Sequence, residues 1–474
     1  MTPQTTAFFI DRKDVELVKP SKPTPSDVLS FSTIDNNPDL ELLTQIICVY
    51  RAKSNSSDHI NQDDLAPNIG ADQLDPSCLI KEALTKVLVY YYPLAGKLKR
   101  DSDGNLKITC NAAGVPFLVA KADCQLSCLR YLDGIDVVTV KEFVFDFPSH
   151  DDPAGDHPLV LQVTKFSCGG FTIGMGLSHS VCDGPGAAQF LRALIELSMG
   201  KMEPTVKPVW DRERLMGKTI EAVPLHFPMD KASAATSPYL PTSELMHDCF
   251  YVTSESIKRL KLRLVKEMMS KNEVPNESLT TVEVLGAFVW RARFRALSLN
   301  TDGKTLFCLT TGIRKHLNPP LPDGYYGNAF VASNVVVTGK DLNEEPLSET
   351  VKLIKQSKGI AFQNEYIRYL IDILETTRKQ NKKIEASGAS MVLTDWRHLN
   401  LLEMEFGSWE AVNIVPVPWN MFGYVDLCLF LPPANLDPAM KGGVRVLVSL
   451  PKEAMPKFKE EMDSLRLGND DSCT

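Results

Sequence analysis

The strongest constraint on the fold of this chain is one short stretch in its first half. Residues 159–167 and 171–178 read as two strands, LVLQVTKFS and FTIGMGLS, separated by Cys168-Gly169-Gly170. Glycine supplies the backbone freedom a tight reversal needs, so the pair is a hairpin. The second strand runs without a spacer into His179-Ser180-Val181-Cys182-Asp183-Gly184-Pro185-Gly186. Ala187, Phe190, Leu191 and Leu194 then recur at helical spacing and predict a helix reaching about Met199. Such a chain must build a sheet, turn sharply at a histidine, and follow it with a helix.

The flanking sequence alternates in the same way. Leu79, Ala83, Val87 and Tyr90 mark an amphipathic helix from Ser77 to Tyr91, ended by Pro93. Lys97-Leu98 and Leu106–Thr109 flank Asp101-Ser102-Asp103-Gly104 as a further hairpin. Residues 200–245 hold Pro204, Pro208, Pro224, Pro228, Pro238 and Pro241 without sustained periodicity, which predicts a long crossover between two lobes. Beyond it, helices are expected near 254–269 and 280–297, then strands at 306–311 and 328–338 around a turn-rich 318–327. Two helices follow at 348–362 and 364–380, and the last hundred residues read as β-rich, with strands at 389–394, 411–417, 423–431 and 444–449. The expectation is a mixed α/β (α+β) chain of two lobes, 1–205 and 246–474, joined by a 206–245 linker.

Composition removes several function classes. With 51 Lys+Arg against 59 Asp+Glu the net charge is −8, which disfavours nucleic-acid and anionic-membrane surfaces. No run approaches the roughly 18 apolar residues a membrane span requires, and Phe8-Phe9-Ile10 is too short for a signal peptide. The eleven cysteines contain no C-x-x-C pair, so reduced core thiols and a cytoplasmic location are expected. No G-x-S-x-G, G-x-G-x-x-G or P-loop pattern occurs, which lowers hydrolase, dinucleotide and nucleotide-triphosphate chemistry.

Three histidines satisfy His-x-x-x-Asp: His59 with Asp63, His179 with Asp183, and His226 with Asp230. The first lies in a polar loop and the third beside Pro228, where solvation is the simplest role. His179 differs because it closes an apolar strand and precedes a Gly/Pro-rich turn and a helix, a junction that can aim an imidazole into a cleft. A satisfied core histidine is the competing reading of the same residues. A metal site on His179, Cys182 and Asp183 lacks a second ligand cluster. A Cys182 nucleophile with His179 as base is open, though a thiol three residues away on a tight turn need not face the ring.

Taken together, ALTKVLVYYYPLAGKL (83–98), HPLVLQVTKFSCGG (157–170), LSHSVCDGPGAAQF (177–190), PVWDRER (208–214), the Thr281–Trp290 helix and GIRKHLNPPLPDGYYGNAF (312–330) resemble the BAHD acyltransferases of plants. The likeness covers nearly the whole chain and is nearer to the alcohol and terpenoid branches, including taxane-type acetyltransferases. It implies a fold of two lobes like chloramphenicol acetyltransferase, with a solvent channel between them and residues 386–412 completing the first lobe. By the same resemblance His179 would be the general base, and Asp183 would pair with Arg314 to support its loop. Thr394 and Trp396 would lie near the reacting carbonyl. No permanently bound cofactor or metal is implied; an acyl-CoA is the co-substrate and a hydroxylated small molecule the acceptor, used by a monomer. The family's Asp-Phe-Gly-Trp-Gly signature appears here as Glu405-Phe406-Gly407-Ser408-Trp409, so altered loop packing is expected there.

The chemistry so implied is direct transfer of an acyl group to an alcohol by a neutral imidazole. Three alternatives stay open: an amine as acceptor, water as acceptor (a thioesterase), and a non-catalytic acyl-CoA binder.

Overall fold

The computed structural model describes residues 8–53, 75–134, 136–147, 152–220, 229–242, 244–271, 278–380, 387–418 and 427–467. His59, His226, residues 221–228 of the crossover and residues 423–426 of an expected strand lie outside these.

In chain order the first half forms β1 (Ile10–Arg12), β2 (Glu16–Val18), β3 (Val28–Ser30), β4 (Leu43–Ala52), α1 (Pro76–Tyr90), β5 (Lys97–Arg100), β6 (Leu106–Thr109), β7 (Val115–Ala122), α2 (Val137–Lys141), β8 (Leu159–Lys165), β9 (Phe171–Ser178) and α3 (Gly184–Ser198). The second half forms β10 (Leu245–Val252), α4 (Ser254–Ser270), α5 (Thr281–Ala296), β11 (Lys304–Gly312), β12 (Phe330–Thr338), α6 (Gly339–Glu344), α7 (Leu347–Ala361), α8 (Asn364–Lys379), β13 (Ser390–Asp395), β14 (Trp409–Pro416), β15 (Leu427–Leu431), β16 (Val444–Pro451) and α9 (Met455–Leu467).

Two large sheets organise these elements, one in each lobe. The first has the order β1-β7-β8-β9-β4-β14, with β2 also on β7. The second has the order β10-β16-β15-β13-β11-β12, and β3, β6 and β5 form a small third sheet. Strand β14 belongs to the second half of the chain but pairs with β4 in the first lobe, so the halves are interlaced.

Local chemistry accounts for the main elements. Helix α1 begins at Asp75, whose carboxylate accepts from Ser77 N at 2.9 Å, with Pro76 at the first helical position. Its buried stripe is Ile80, Ala83, Leu84, Val87 and Leu88, rotated from the expected face by one residue at the Leu79 and Tyr90 ends. Helix α5 opens with a capping box between Thr280 and Glu283. Strand β9 is buried along its whole length between β8 and β4, as a central strand covered on both faces must be. Each lobe has its own apolar core, and that of the first lobe takes in Trp396, Phe406 and Ile414 from the second half.

Among the described residues no helix is long and apolar enough to cross a membrane. The ten described cysteines are unpaired; Cys48, Cys110, Cys182 and Cys428 are buried, whereas Cys78, Cys128 and Cys168 are exposed.

Candidate active site

The turn after β9 is where the two lobes meet. His179 N donates to Leu42 O at 2.9 Å, continuing the β4–β9 pairing one residue past the strand, and Ser180 Oγ donates to Leu40 O at 3.0 Å. The chain then has four residues before helix α3, whose N-cap is Asp183. His179 is thus held at a strand end by backbone bonds, so its ring position does not rely on a flexible loop.

His179, Asp183, Arg314, Thr394 and Trp396 all line one cavity of about 490 Å³. Its walls come from both sheets: Thr44 and Leu177 on one side, Thr310 and Val392 on the other. The imidazole is partly exposed to this space and meets Phe330 edge-on, with ring centres 6.2 Å apart. Among the described residues its Nδ1 is buried and has no hydrogen-bond partner, so the ring faces the cavity through its other edge. Burial lowers the His179 pKa below the ordinary 6.5 and outweighs the raising effects of its own backbone carbonyl, Asp183, Asn328 and Asp35.

Asp183 is bound on every side. Arg314 Nη1 and Nη2 each reach one of its oxygens at 2.7 Å, a bidentate pair. Gly186 N donates to Oδ1 at 3.1 Å and Ala329 N to Oδ2 at 3.0 Å. Burial alone would raise this carboxyl, but the Arg314 charge and the donated hydrogen bonds outweigh it and hold the group below the usual range. Arg314 also donates to Gly327 O at 3.0 Å, tying the His179 turn to the 325–329 segment of the other lobe.

Thr394 lies on β13, which runs parallel to β11 and β15. Its hydroxyl bonds to that of Thr310 on β11 at 3.0 Å. One hydroxyl of such a pair donates to the other, which leaves a second proton free to face the cavity. Trp396 is 8% exposed, anchored by its backbone N–H to Phe430 O at 2.8 Å. Burial pushes the Cys182 thiol up to about 12, so it is a thiol at neutral pH and a poor nucleophile.

Four neighbours were not singled out in the sequence: Asp35, Arg212, Thr310 and Asn328. Asn328 Nδ2 donates to His179 O at 2.8 Å and to Asp35 Oδ1 at 2.8 Å. Asp35 is fully buried and pairs with Arg212 at 2.5 Å. Arg212 in turn donates to Val181 O at 2.8 Å and lies over Phe31 and Trp210. The sequence signal was slight. Arg212 and Asn328 fall inside stretches that carry the resemblance, and Asp35 within the polar run Asp35-Asn36-Asn37, where an exposed turn is the simplest reading.

The altered Glu405–Trp409 segment is a tight turn at the opposite end of the hairpin. Phe406 is fully buried against Tyr50, Phe171 and Trp409. Gly407 takes φ +55°, a conformation glycine adopts freely. Trp409 Nε1 donates to Gly169 O at 2.8 Å, and Glu405 faces Lys53 at 2.8 Å. The eight residue steps from Phe171 to His179 separate this clamp from the imidazole by roughly 25 Å of extended strand.

The two lobes thus meet at one cavity, with a histidine at a strand end on its wall. The model of the Transferase family matches residues 8–465, and the chain belongs to that family, the BAHD acyltransferases. Among curated relatives, spermidine sinapoyl-CoA acyltransferase of Arabidopsis thaliana is 41% identical over 97% of this chain and 98% of its own length. Taxadien-5-alpha-ol O-acetyltransferase of Taxus chinensis is 31% identical over 98% of each chain. The solved structure of vinorine synthase shares the fold, with TM-score 0.71 and 21% identity over 96% of this chain and 98% of that one.

Proposed function

We propose that this acyltransferase uses His179 as its general base and moves an acyl group from an acyl-CoA to an amine of a polyamine-type acceptor. The observation that supports the chemistry is the shared cavity: one accessible imidazole edge and one hydroxyl pair, Thr310–Thr394, reach the same space from opposite lobes. The acceptor nitrogen attacks the thioester carbonyl as His179 Nε2 takes its proton. The hydroxyl proton left on the Thr310–Thr394 pair donates to the oxyanion, and Trp396 bounds the space around it. Collapse breaks the carbon–sulfur bond; CoA leaves as a thiolate and takes the proton from the imidazolium. The Asp183–Arg314 pair holds the turn and exchanges no proton.

The choice of amine departs from the alcohol favoured in the sequence reading. It is supported by the 41% identity to a spermidine acyltransferase against 31% to an alcohol acetyltransferase. The alcohol acceptor is the second reading, favoured by the apolar remainder of the wall, including Ile46, Leu177, Leu306, Val392 and Leu429.

The test is a panel of acetyl-, benzoyl-, coumaroyl- and sinapoyl-CoA against spermidine, aliphatic alcohols and a terpenoid alcohol, read by thiol release and product mass. Acceptor-dependent release with an amide product is expected with spermidine. An ester product with no amide would move the acceptor to the second reading, and release without any acceptor would make the protein a thioesterase.

A further inference from the structure

The cavity wall supplied by the second sheet is built in rows, because alternate side chains of a strand face the same way. On β11, Phe307 and Leu309 fill the core of the lobe, while Leu306, Cys308 and Thr310 line the cavity. On β13, Met391 and Leu393 fill the core, and Ser390, Val392 and Thr394 line the cavity. Register joins them: Thr310 with Thr394, then Cys308 with Val392 and with Asn334 of β12, then Leu306 with Ser390. Each row lies two residues, or about 6.7 Å, beyond the last.

The carbonyl sets how a thioester lies against these rows. With its oxygen on the Thr310–Thr394 hydroxyls, as proposed above, the carbonyl points at the sheet, and the two other bonds of its planar carbon diverge along it. The sulfur leads to the phosphates of CoA, which stay in water. Past Trp396 the cavity opens: Pro185, Ala188, His398 and Leu399 line both it and a surface groove beside α3. The acyl chain therefore runs the opposite way, over Cys308 and Asn334 toward Ser390.

That end of the wall is polar and uncharged. Asn334 O accepts from Ser357 Oγ at 2.9 Å, and Ser390 N donates to Ser387 O at 2.9 Å. The Asn334 amide and the Ser390 hydroxyl themselves have no hydrogen-bond partner among the described residues, although Ser390 is only 5% exposed. Burial pushes the Cys308 thiol up to about 12, so it too is neutral at physiological pH. Unpaired polar groups on a cavity wall call for a hydrogen-bonding ligand. These two rows hold no ionised side chain, so an ammonium or carboxylate would lack a counter-charge there, and a neutral group fits.

We propose that Asn334, with Ser390 one row beyond, is a specificity-determining residue for the donor: its side-chain amide bonds the hydroxyl of a hydroxylated aromatic acyl group. In a trans-3-phenylpropenoyl chain the para oxygen lies about 8 Å from the thioester carbon, past the row of Asn334 and short of that of Ser390. An acetyl group ends before either row and leaves both polar groups bare. The inference rests on the Thr310–Thr394 pair receiving the carbonyl oxygen.

The test is equilibrium binding of 4-coumaroyl-CoA and of cinnamoyl-CoA, which lacks only the hydroxyl, to the full-length protein by titration calorimetry without acceptor. 4-Coumaroyl-CoA is expected to bind roughly 10-fold more tightly. Asn334→Leu, of similar volume, is expected to bring the two affinities together by weakening 4-coumaroyl-CoA and sparing cinnamoyl-CoA; Ser390→Ala is expected to move the ratio the same way by less. Should Asn334→Leu not fold, Asn334→Ala carries the same comparison. Equal affinities in the wild-type protein, or a ratio that survives loss of the amide, overturns the proposal, and a raised KM for the acceptor in place of a changed ratio would assign the amide to the acceptor. Binding needs neither base nor nucleophile, so a protein that shows the expected ratio but transfers no acyl group would remove the general-base reading and leave this one standing.

Discussion

His179 meets two demands that oppose each other. A base must be neutral before it can take a proton, and it must be reachable by the acceptor. Burial of the ring disfavours the imidazolium and lowers its pKa below 6.5, so the neutral form persists into mildly acidic solution. With His179 as the proposed base the protonated form is inactive, so the acid limb of kcat/KM is expected to reach half its plateau below pH 6.5. Above neutrality the acceptor decides the shape. An aliphatic amine with pKa ~10 must shed its own proton, so the rate keeps rising toward that value; an alcohol gives a plateau. Thiol release between about pH 5 and about pH 9.5 checks both limbs; once the rate with an amine is expressed per unprotonated amine, a half-maximum clearly above 6.5 would contradict the assignment. The residue scale was also the most legible in the sequence for His179, because strand, turn and helix converge on it within a few positions. Asn328 and Thr310 were not legible, since their partners lie 149 and 84 positions away.

At the scale of elements, the Asp183–Arg314 pair fastens the start of α3 to the loop after β11. Asp183 serves at once as N-cap and ion-pair partner, and replacing it leaves Arg314 without its counter-charge. The Asp183→Ala variant is expected to lose about 3–5 kcal/mol, near the lower end because the Arg314 side chain is 24% exposed. A thermal or urea melt measures this, and a variant as stable as wild type would show that the pair does not hold the turn. Strand–turn–helix patterns with strong periodicity were read correctly: α3, α5, α8 and the β8–β9 hairpin fall close to their expected limits. Strands β4 and β7 were not anticipated, because a strand buried on both faces shows a continuous apolar run such as Ile46–Tyr50 and no alternation. Helix α9 lies where only strands were expected. Its buried Met455, Phe458, Met462 and Leu465 recur at three and four residues, a helical signal diluted by the charged positions between them.

At the scale of the whole molecule, the second half of the chain both faces and completes the first. Strand β14 adds to the sheet that carries β9, and the Trp409–Gly169 bond clamps the far end of the hairpin. Rigid anchoring at that end and a bidentate ion pair at the other leave the His179 turn little freedom, as the positioning of the proposed base requires. Family-level chemistry was legible in the sequence through motifs spread along the chain. The cavity was not, because its walls are assembled from strand ends that only the sheet order brings together. The central claim is that one imidazole performs the proton transfer. The most direct measurement is the turnover of folded His179→Ala, followed by thiol release with the acyl-CoA and acceptor the wild-type enzyme uses best. A loss of roughly 10²–10⁴-fold at unchanged melting temperature is expected; turnover near the wild-type rate would contradict the account.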